Sequence, residues 1–452
     1  MTAEELAGKL VELLEDAERV LTARPVLEKL SKDFYWYSPI LKRQLEEKTG
    51  DVAVQPVSTE EVVAVVRFAY AAGVPVTVRG AGTGNYGQCI PLEGGIVLDL
   101  SRMDKLEEIT PDGVAVCQPG LRLAPLEVEA RRQDWELRMY PSTLAKATVG
   151  GFLAGGSGGI GSVTHGGLRD FDNVRAVEVV TMEAEPRVVK HEGEAVREIL
   201  HSWGTNGVIT RAWFALTPAV EWVQVTAAFF TYEEGFRFAR KVAESERWQK
   251  RLVTVFEWPI PSFFTPVKQV VAEGKTLVLV MIANVQAGAL KLAAEEAGGK
   301  VTFVGPYTGP KSQPLMSDYT WNHTTLWAMK ADPKWTYLQA GFLPERCMEQ
   351  FRLLREKYGE EILFHIEFMK NGEGVVVPGG IPLVYYTTDE RLKEMIAYCR
   401  EIGVFIANPH VNNLEDGGRF RSDNVQLAAK RKYDPKGLLN PGKMLSFEVQ
   451  RS

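Results

Sequence analysis

Nine of the 41 glycines fall within the 18 residues 150–167, where a proportional share is fewer than two. Glycine at that density costs folding entropy, so it implies backbone that must approach something closely. Val149, Phe152, Leu153 and Ile160 are interleaved with these glycines and require burial, which argues against a mobile surface loop. An earlier loop, Arg79-Gly-Ala-Gly-Thr-Gly-Asn-Tyr-Gly87, follows a predicted strand. Its N–H groups can form an anion-binding concavity, Thr83 and Asn85 add donors, and a pyrophosphate is the natural guest. A third cluster is Gly204-Thr-Asn-Gly-Val-Ile-Thr210. Three backbone-exposing loops spread over about 130 residues imply a ligand longer than one phosphate. A Rossmann fingerprint does not fit: Gly80 and Gly82 match its start, but the sixth position is Asn85 and no helix follows. Walker A fails too, because Gly274-Lys-Thr276 lacks the glycine five residues earlier.

Groups that could move a proton are few. Of the six histidines, His191 and His201 lie among charged residues and read as solvated, and His165 belongs to the glycine-rich stretch. Trp321-Asn-His-Thr-Thr325 and Asn408-Pro-His-Val-Asn-Asn413 are dense in polar groups beside turn formers, as site loops are. His323, His410, Asn412 and the nearby Tyr319 are therefore the candidate catalytic residues. His365 precedes Ile366 and Glu367, so strand alternation places His365 and Glu367 on one face, with a hydrogen-bonded structural role expected for the histidine. Tyr319, Trp321, Trp327, Tyr385 and Tyr386 would suit an aromatic or alkyl alcohol, core packing being their plainer role. Arg391, Arg400 and Arg419 could each pair with a substrate carboxylate, a surface role being the commoner one.

The elements that must position these residues follow from spacing. Thr2 and Glu5 form a capping-box pattern ahead of Leu6, Leu10, Leu13 and Leu14. A βαβ unit comes next: a strand at 52–56, a helix opened by Ser58 and Glu61 with Val62, Val65, Val66 and Ala69 on its apolar face, and a strand at 75–79 after Gly73. A third strand, 95–100, follows the first glycine loop. Strands are expected at 113–119, 174–180, 208–216, 223–230 and 277–283, and helices at 123–134, 233–244 and 390–402. Tyr433 to Lys443 is rich in turn formers and cannot be one regular element. The expected organisation is an N-terminal helical segment (1–50), a ligand-binding domain (50–218), a cap domain (219–430) and a C-terminal segment (431–452) that returns to the ligand-binding domain.

Composition bounds the rest. A length of 452 residues with 45% hydrophobic and 24% charged residues describes a globular chain of two or three domains. The net charge of −6 gives no basic face for nucleic acid. The four cysteines are far apart and make no CxxC pair, so they read as ordinary thiols in a reducing compartment. The acidic first helix does not suit a secretory signal, and the longest apolar run, Leu277 to Ala283, is far short of a span. The chain is expected to be cytoplasmic, with peripheral membrane contact compatible with its composition.

The order Val-Arg-Gly-x-Gly-Thr (78–83), Thr-Val-Gly-Gly (148–151), Gly-Val-Ile-Thr (207–210) and Asn-Pro-Gly-Lys (440–443) resembles the FAD-linked oxidases of the vanillyl-alcohol oxidase / p-cresol methylhydroxylase (PCMH) superfamily. Within it, the likeness is to the glycolate oxidase subunit and D-lactate dehydrogenase branch. It covers residues 50–217 and 433–443 and is weak across 220–430. The resemblance implies an α+β fold: a PCMH-type FAD-binding domain, made of a small βαβ subdomain and a larger antiparallel one, and an α+β cap. It implies that Gly80, Ala81, Gly82, Thr83, Gly84 and Asn85 wrap the pyrophosphate. Thr148, Val149, Gly150, Gly155, Ser157 and Gly158 would line the flavin and ribityl chain, joined by Pro141 and Ser142, with Val208 and Ile209 at the adenine side. Some relatives attach the flavin through a histidine in the first loop. Thr83 stands there, and no cysteine occurs between Cys117 and Cys347, so the FAD is expected to be held non-covalently. The Gly-Asp-Gly-Asn-x-His metal motif of the branch has no match here, and no metal is expected. The implied activity is oxidation of an alcohol or 2-hydroxy acid by hydride transfer to FAD. The alternative is an FAD-carrying electron-transfer or assembly subunit without substrate chemistry. The implied partners are a small-molecule substrate, an electron acceptor that is oxygen, a quinone or a protein, and a second copy of the chain as a homodimer.

Overall fold

In the computed structural model, residues 1–309, 315–418 and 424–447 are described. Arg419 lies outside them. The Thr2 capping box forms, with Glu5 N–H donating to Thr2 Oγ1 at 3.1 Å and Thr2 N–H to Glu5 at 2.8 Å. The helix it opens, Ala3–Leu14, buries Leu6, Leu10 and Leu14, whereas Leu13 is exposed.

The βαβ unit is present. Strands Val52–Val54, Ile96–Asp99 and Val76–Arg79 pair in parallel in that spatial order. The short strand Val20–Leu21 adds an antiparallel edge that the sequence pattern did not indicate. Helix Thr59–Ala72 connects Val52–Val54 to Val76–Arg79, capped by Ser58 Oγ, which accepts from Glu61 N–H at 3.3 Å. The Glu61 carboxylate takes the Val57 N–H at 2.9 Å, so the expected reciprocal box is only half made. Gly73 ends the helix at φ +68, and Val62, Val65, Val66 and Ala69 pack inward. The chain's far end returns to this sheet. Val76 N–H donates to Leu438 C=O and Asn440 N–H to Val76 C=O, both at 2.8 Å, beside a parallel bridge between Val76 and Leu439.

The second sheet is antiparallel, in the order Leu106–Ile109, Val114–Cys117, Val208–Pro218, Val174–Val180, Val188–Glu192, with Trp135–Leu137 on the far end of the long strand. The third sheet belongs to the second half of the chain. Its eight antiparallel strands run 300–306, 222–229, 276–283, 250–256, 365–370, 376–380, 339–341, 405–407. Three short strands, 335–337, 383–385 and 362–363, make a fourth sheet.

A buried ionic network ties the second and third sheets together. Arg251, on strand Lys250–Phe256, lies 3.3 Å from Glu127 and 3.4 Å from Glu136, and its Nη2 donates to Leu137 C=O at 2.7 Å. Glu136 also accepts from the Trp222 indole at 3.0 Å, and Arg131 bonds both glutamates. Two guanidiniums thus face two carboxylates, and the hydrogen bonds offset the desolvation such burial costs. Among the described residues no helix is long and apolar enough to cross a membrane.

Candidate active site

Where the three sheets meet, a cleft opens with an empty volume of about 1580 Å³, its mouth included. The glycine loops form its walls. Gly80 packs so closely on the second cluster that a Cβ there would sit 2.1 Å from Thr148 Oγ1. Gly82 holds φ +64, and a Cβ would meet Arg79 Nη2 at 2.3 Å. The segment 149–155, expected to be close-approaching backbone, is a short helix with Thr148 as its N-cap. The third loop is strained: His201 and Trp203 hold φ +58 and +54, ahead of Gly204 at +72. Left-handed backbone is rare for such side chains and persists where the surroundings enforce it. Asn440 supplies part of that enforcement, its Nδ2 donating to Gln88 C=O at 2.7 Å and Trp203 C=O at 2.6 Å. Lys443 Nζ donates to Gly87 C=O at 2.7 Å. The Asn-Pro-Gly-Lys segment therefore clamps the first and third loops from behind.

Residues 80–85, Pro141, Ser142, Thr148, Gly150, Gly155, Ser157, Gly158 and Ile209 all line this one cleft. Val149 and Val208 do not; their side chains fill apolar cores. Sequence reasoning missed Asp33, Phe34 and Tyr37, which come from the N-terminal segment, and Trp203 and Gln339. It also misplaced two histidines. His201 lines the cleft and donates from Nδ1 to Gly156 C=O at 2.9 Å, and His191 is buried against Glu198 and Tyr433. Neither is solvated, both being buried. Burial pushes the Asp33 carboxyl up to about 6, although Lys443 and two backbone N–H groups oppose the shift.

The candidate catalytic residues separate clearly. His323 lines the cleft with Trp321 and Asn322, at the start of helix Asn322–Ala331. Its Nδ1 lies 2.9 Å from Asp318 C=O, and since a carbonyl only accepts, Nδ1 carries the proton and Nε2 is the acceptor. Burial pushes its pKa below the usual 6.5, with the Asp318 carbonyl opposing in part, so the ring is neutral at neutral pH. His410 is elsewhere. It is buried, with Nε2 donating to Tyr337 C=O at 3.0 Å and Nδ1 at 2.8 Å from Ser38 Oγ, and burial pushes its pKa down to about 4. Both nitrogens are used within the protein, so the polar loop 408–413 joins the cap to the N-terminal segment and does not bring a second histidine to the cleft. Tyr319 is 1% exposed and packs on Phe264 and Trp327, outside the cleft lining. Asn412 lies behind the first loop, its Cβ 3.8 Å from the Cβ position of Gly87. Arg391 pairs with Glu361 and Glu394, and Arg400 is exposed. Tyr385 and Tyr386 donate to Asp332 and Asp389. Among the described residues no three His, Cys, Asp or Glu side chains converge as metal ligands.

Whether a dinucleotide suits the cleft can be judged from polar atoms the protein leaves unpaired. Among the described residues, Asp33 Oδ2, Gln88 Oε1, Trp203 Nε1, Trp321 Nε1 and Asn322 Oδ1 are buried without a hydrogen-bond partner, and all five residues line the cleft. Buried polar groups are normally satisfied, so donors and acceptors gathered on one cavity fit a long, polar ligand. Glycine-rich backbone makes one part of the cleft wall, and apolar and aromatic side chains such as Phe34, Tyr37, Trp203 and Trp321 make another.

Comparison with known proteins agrees. Residues 50–190 match the model of the FAD binding domain family. A D-lactate dehydrogenase of Archaeoglobus fulgidus is 28% identical over 422 residues, covering 87% of this chain and 91% of that protein. The glycolate oxidase subunit GlcD of Escherichia coli K12 is 24% identical over 434 residues, covering 87% and 83%. A solved alkyldihydroxyacetonephosphate synthase superposes with a TM-score of 0.72 at 17% identity, over 97% of this chain and 86% of its own, a likeness of fold. The chain is an FAD-linked oxidoreductase with a PCMH-type, α+β architecture, and FAD is its cofactor.

Proposed function

We propose that the protein oxidises the CH–OH carbon of a small hydroxy acid or alcohol. Residues 50–218 form the flavin domain, residues 219–430 form the substrate-binding cap, and residues 431–452 close back on the flavin domain. Bound in the cleft, the flavin supplies the acceptor for the two electrons that leave the carbinol carbon. Every other part of the work falls to the chain. The 80–85 loop holds the pyrophosphate through backbone N–H groups, with Thr83 and Asn85 adding donors. Gly150, Gly155, Gly156 and Gly158 give the ring and ribityl chain a surface without side chains, with Thr148 and Ser157 beside them. The FAD is held non-covalently: Thr83 stands where some relatives carry a linking histidine, and burial pushes the Cys89 thiol, in the cleft wall, up to about 12.

The observation that carries this reading is His323. A neutral imidazole whose Nδ1 is committed to Asp318 leaves Nε2 as its acceptor, and His323 lines the same cleft as the glycine loops. That is what removal of a hydroxyl proton requires of the protein. The two relatives also extend through the cap, each aligned with 87% of the chain, and are named for the oxidation of D-lactate and glycolate. Anaerobic addition of hydroxy acids and alcohols to the holoprotein tests the reading. Loss of the oxidised flavin band with at least one of them is expected; an unchanged spectrum across all of them would refute it.

A further inference from the structure

A second space opens off the cofactor cleft on the cap side. It has an empty volume of about 390 Å³, and Trp321 and Gln339 line both spaces, so the two meet there. Its floor is the end of the cap sheet made by the adjacent strands 365–370, 376–380, 339–341 and 405–407. Met369, Ile381 and Phe405 give it an apolar surface, and glycines keep it open. The Met369 methyl lies 3.9 Å from the Cβ position of Gly158, so this sub-pocket abuts the 155–158 loop of the cofactor cleft.

Among the described residues, Glu367 is the one ionisable side chain in that lining, and it is 1% exposed. Its Oε1 accepts from Trp321 N–H at 2.8 Å and lies 2.8 Å from His365 Nε2, which must donate to a carboxyl oxygen. Phe256 stacks on His365 at 4.9 Å and fixes the ring. The carboxyl group is thus held rigidly through one oxygen. Its other oxygen, Oε2, has no hydrogen-bond partner among the described residues. A buried acceptor without a donor is unfavourable unless a ligand supplies one. Trp321 adds an independent sign: the residue that Glu367 tethers holds φ +53, a left-handed conformation that an indole side chain rarely adopts. Strain of this kind collects at ligand sites.

We propose that Glu367 Oε2 accepts the hydrogen bond of a substrate hydroxyl in this sub-pocket, a hydroxyl other than the one whose proton His323 takes, and that the substrate is a neutral diol with a small apolar body. The proposal rests on the CH–OH reading of the cleft and narrows its substrate class. His365 and the Trp321 backbone act as positioning groups for Glu367. A carboxylate placed in the sub-pocket would set lone pair against lone pair at Oε2, so recognition works by rejection as well as by attraction.

Tertiary alcohols test this without turnover, because their carbinol carbon has no hydrogen to lose. We would titrate 2-methylpropan-2-ol and 2-hydroxy-2-methylpropanoate into the FAD-loaded protein and into Glu367→Gln, reading binding from the flavin absorption spectrum. The amide oxygen can keep both Oε1 contacts while replacing the free oxygen with a donor, so FAD content and Tm should stay at the wild-type level. Wild type should take the neutral alcohol at least about ten-fold more tightly than the anion, and Glu367→Gln should bind the neutral alcohol about ten-fold more weakly, as loss of one net hydrogen bond implies. Equal affinity of both proteins for the neutral alcohol, or tighter binding of the anion by wild type, overturns the proposal. Should the variant misfold, the wild-type preference decides by itself. Tertiary-alcohol binding as expected, with no bleaching by any oxidisable alcohol or hydroxy acid, would remove the CH–OH reading and leave Glu367 as a hydroxyl-binding residue.

Discussion

Gly82→Val is the sharpest perturbation of the first loop. The residue holds φ +64, and a Cβ there would stand 2.3 Å from Arg79 Nη2, 2.9 Å from its Cζ and 3.0 Å from Lys32 C=O. Left-handed backbone costs a side-chain-bearing residue about 1–2 kcal/mol. The guanidinium must also move, and it now donates to the carbonyls of Leu30 and Lys32, tying the segment that carries Asp33 and Phe34 to the loop. Loss of one hydrogen bond from a charged donor adds about 1.5–3 kcal/mol. The sum, about 2.5–5 kcal/mol, falls on a cleft wall and not on a core, and it corresponds to FAD binding weaker by about two to three and a half orders of magnitude. The assay is reconstitution of apoprotein with FAD, followed by quenching of flavin fluorescence, with circular dichroism to confirm the fold. Gly274→Val is the control: φ is +71, nothing lies within 4 Å of its Cβ position, and it is remote from the cleft lining. It should lose stability and keep its affinity for FAD. Stoichiometric, tight FAD in folded Gly82→Val would show that the 80–85 loop does not cradle the pyrophosphate.

Three further outcomes are expected. His323→Asn should reduce its flavin about 10²–10⁴-fold more slowly by stopped flow, with FAD content intact, and a rate within a few-fold of wild type would exclude His323 as the proton acceptor. In the wild-type enzyme kcat/KM should rise with pH through an ionisation below 6.5, because burial favours the neutral imidazole and the base must be neutral to act. For His410, folding depresses the pKa to about 4, so the unfolded chain binds the extra proton; stability should fall as pH drops from about 6.5 towards 4, by up to about 3 kcal/mol. His410→Gln should flatten that part of the urea-unfolding profile, and an identical profile would show that another group sets it. Trichloroacetic acid should release all the yellow colour into the supernatant, the outcome that the proposed non-covalent attachment of FAD requires; colour in the pellet would refute that attachment.

The part of the fold that was legible in the sequence is the part built from local signals. Ser58, Gly73 and the Val62–Val66 spacing mark one helix between two short β-runs, and the parallel unit follows. The glycine loops were legible as places of close backbone approach for the same reason, and they form walls of the cleft. His365 and Glu367 were placed on one strand face by alternation alone, and they meet at 2.8 Å. What escaped was set by long-range contact. Asp33 and Phe34 reach the cleft through contacts distant in sequence: Arg79 donates to the carbonyls of Leu30 and Lys32, and Phe34 N–H donates to Gly84 C=O at 2.7 Å. His201 and Trp203 point into it because their backbone is left-handed, which no residue type there announces. His323 and His410 sit in loops of the same polar character, and only tertiary packing turns one towards the cleft and the other towards Ser38 and Tyr337.

Crystals of the FAD-loaded protein would show whether FAD lies in the cleft between the glycine loops and the Trp321–His323 turn. Density for the pyrophosphate is expected against residues 80–85, and for the isoalloxazine ring over residues 155–158 with His323 and the Glu367 sub-pocket on its open side. Density for the ring against any other surface, or His323 turned away from it, would refute this placement.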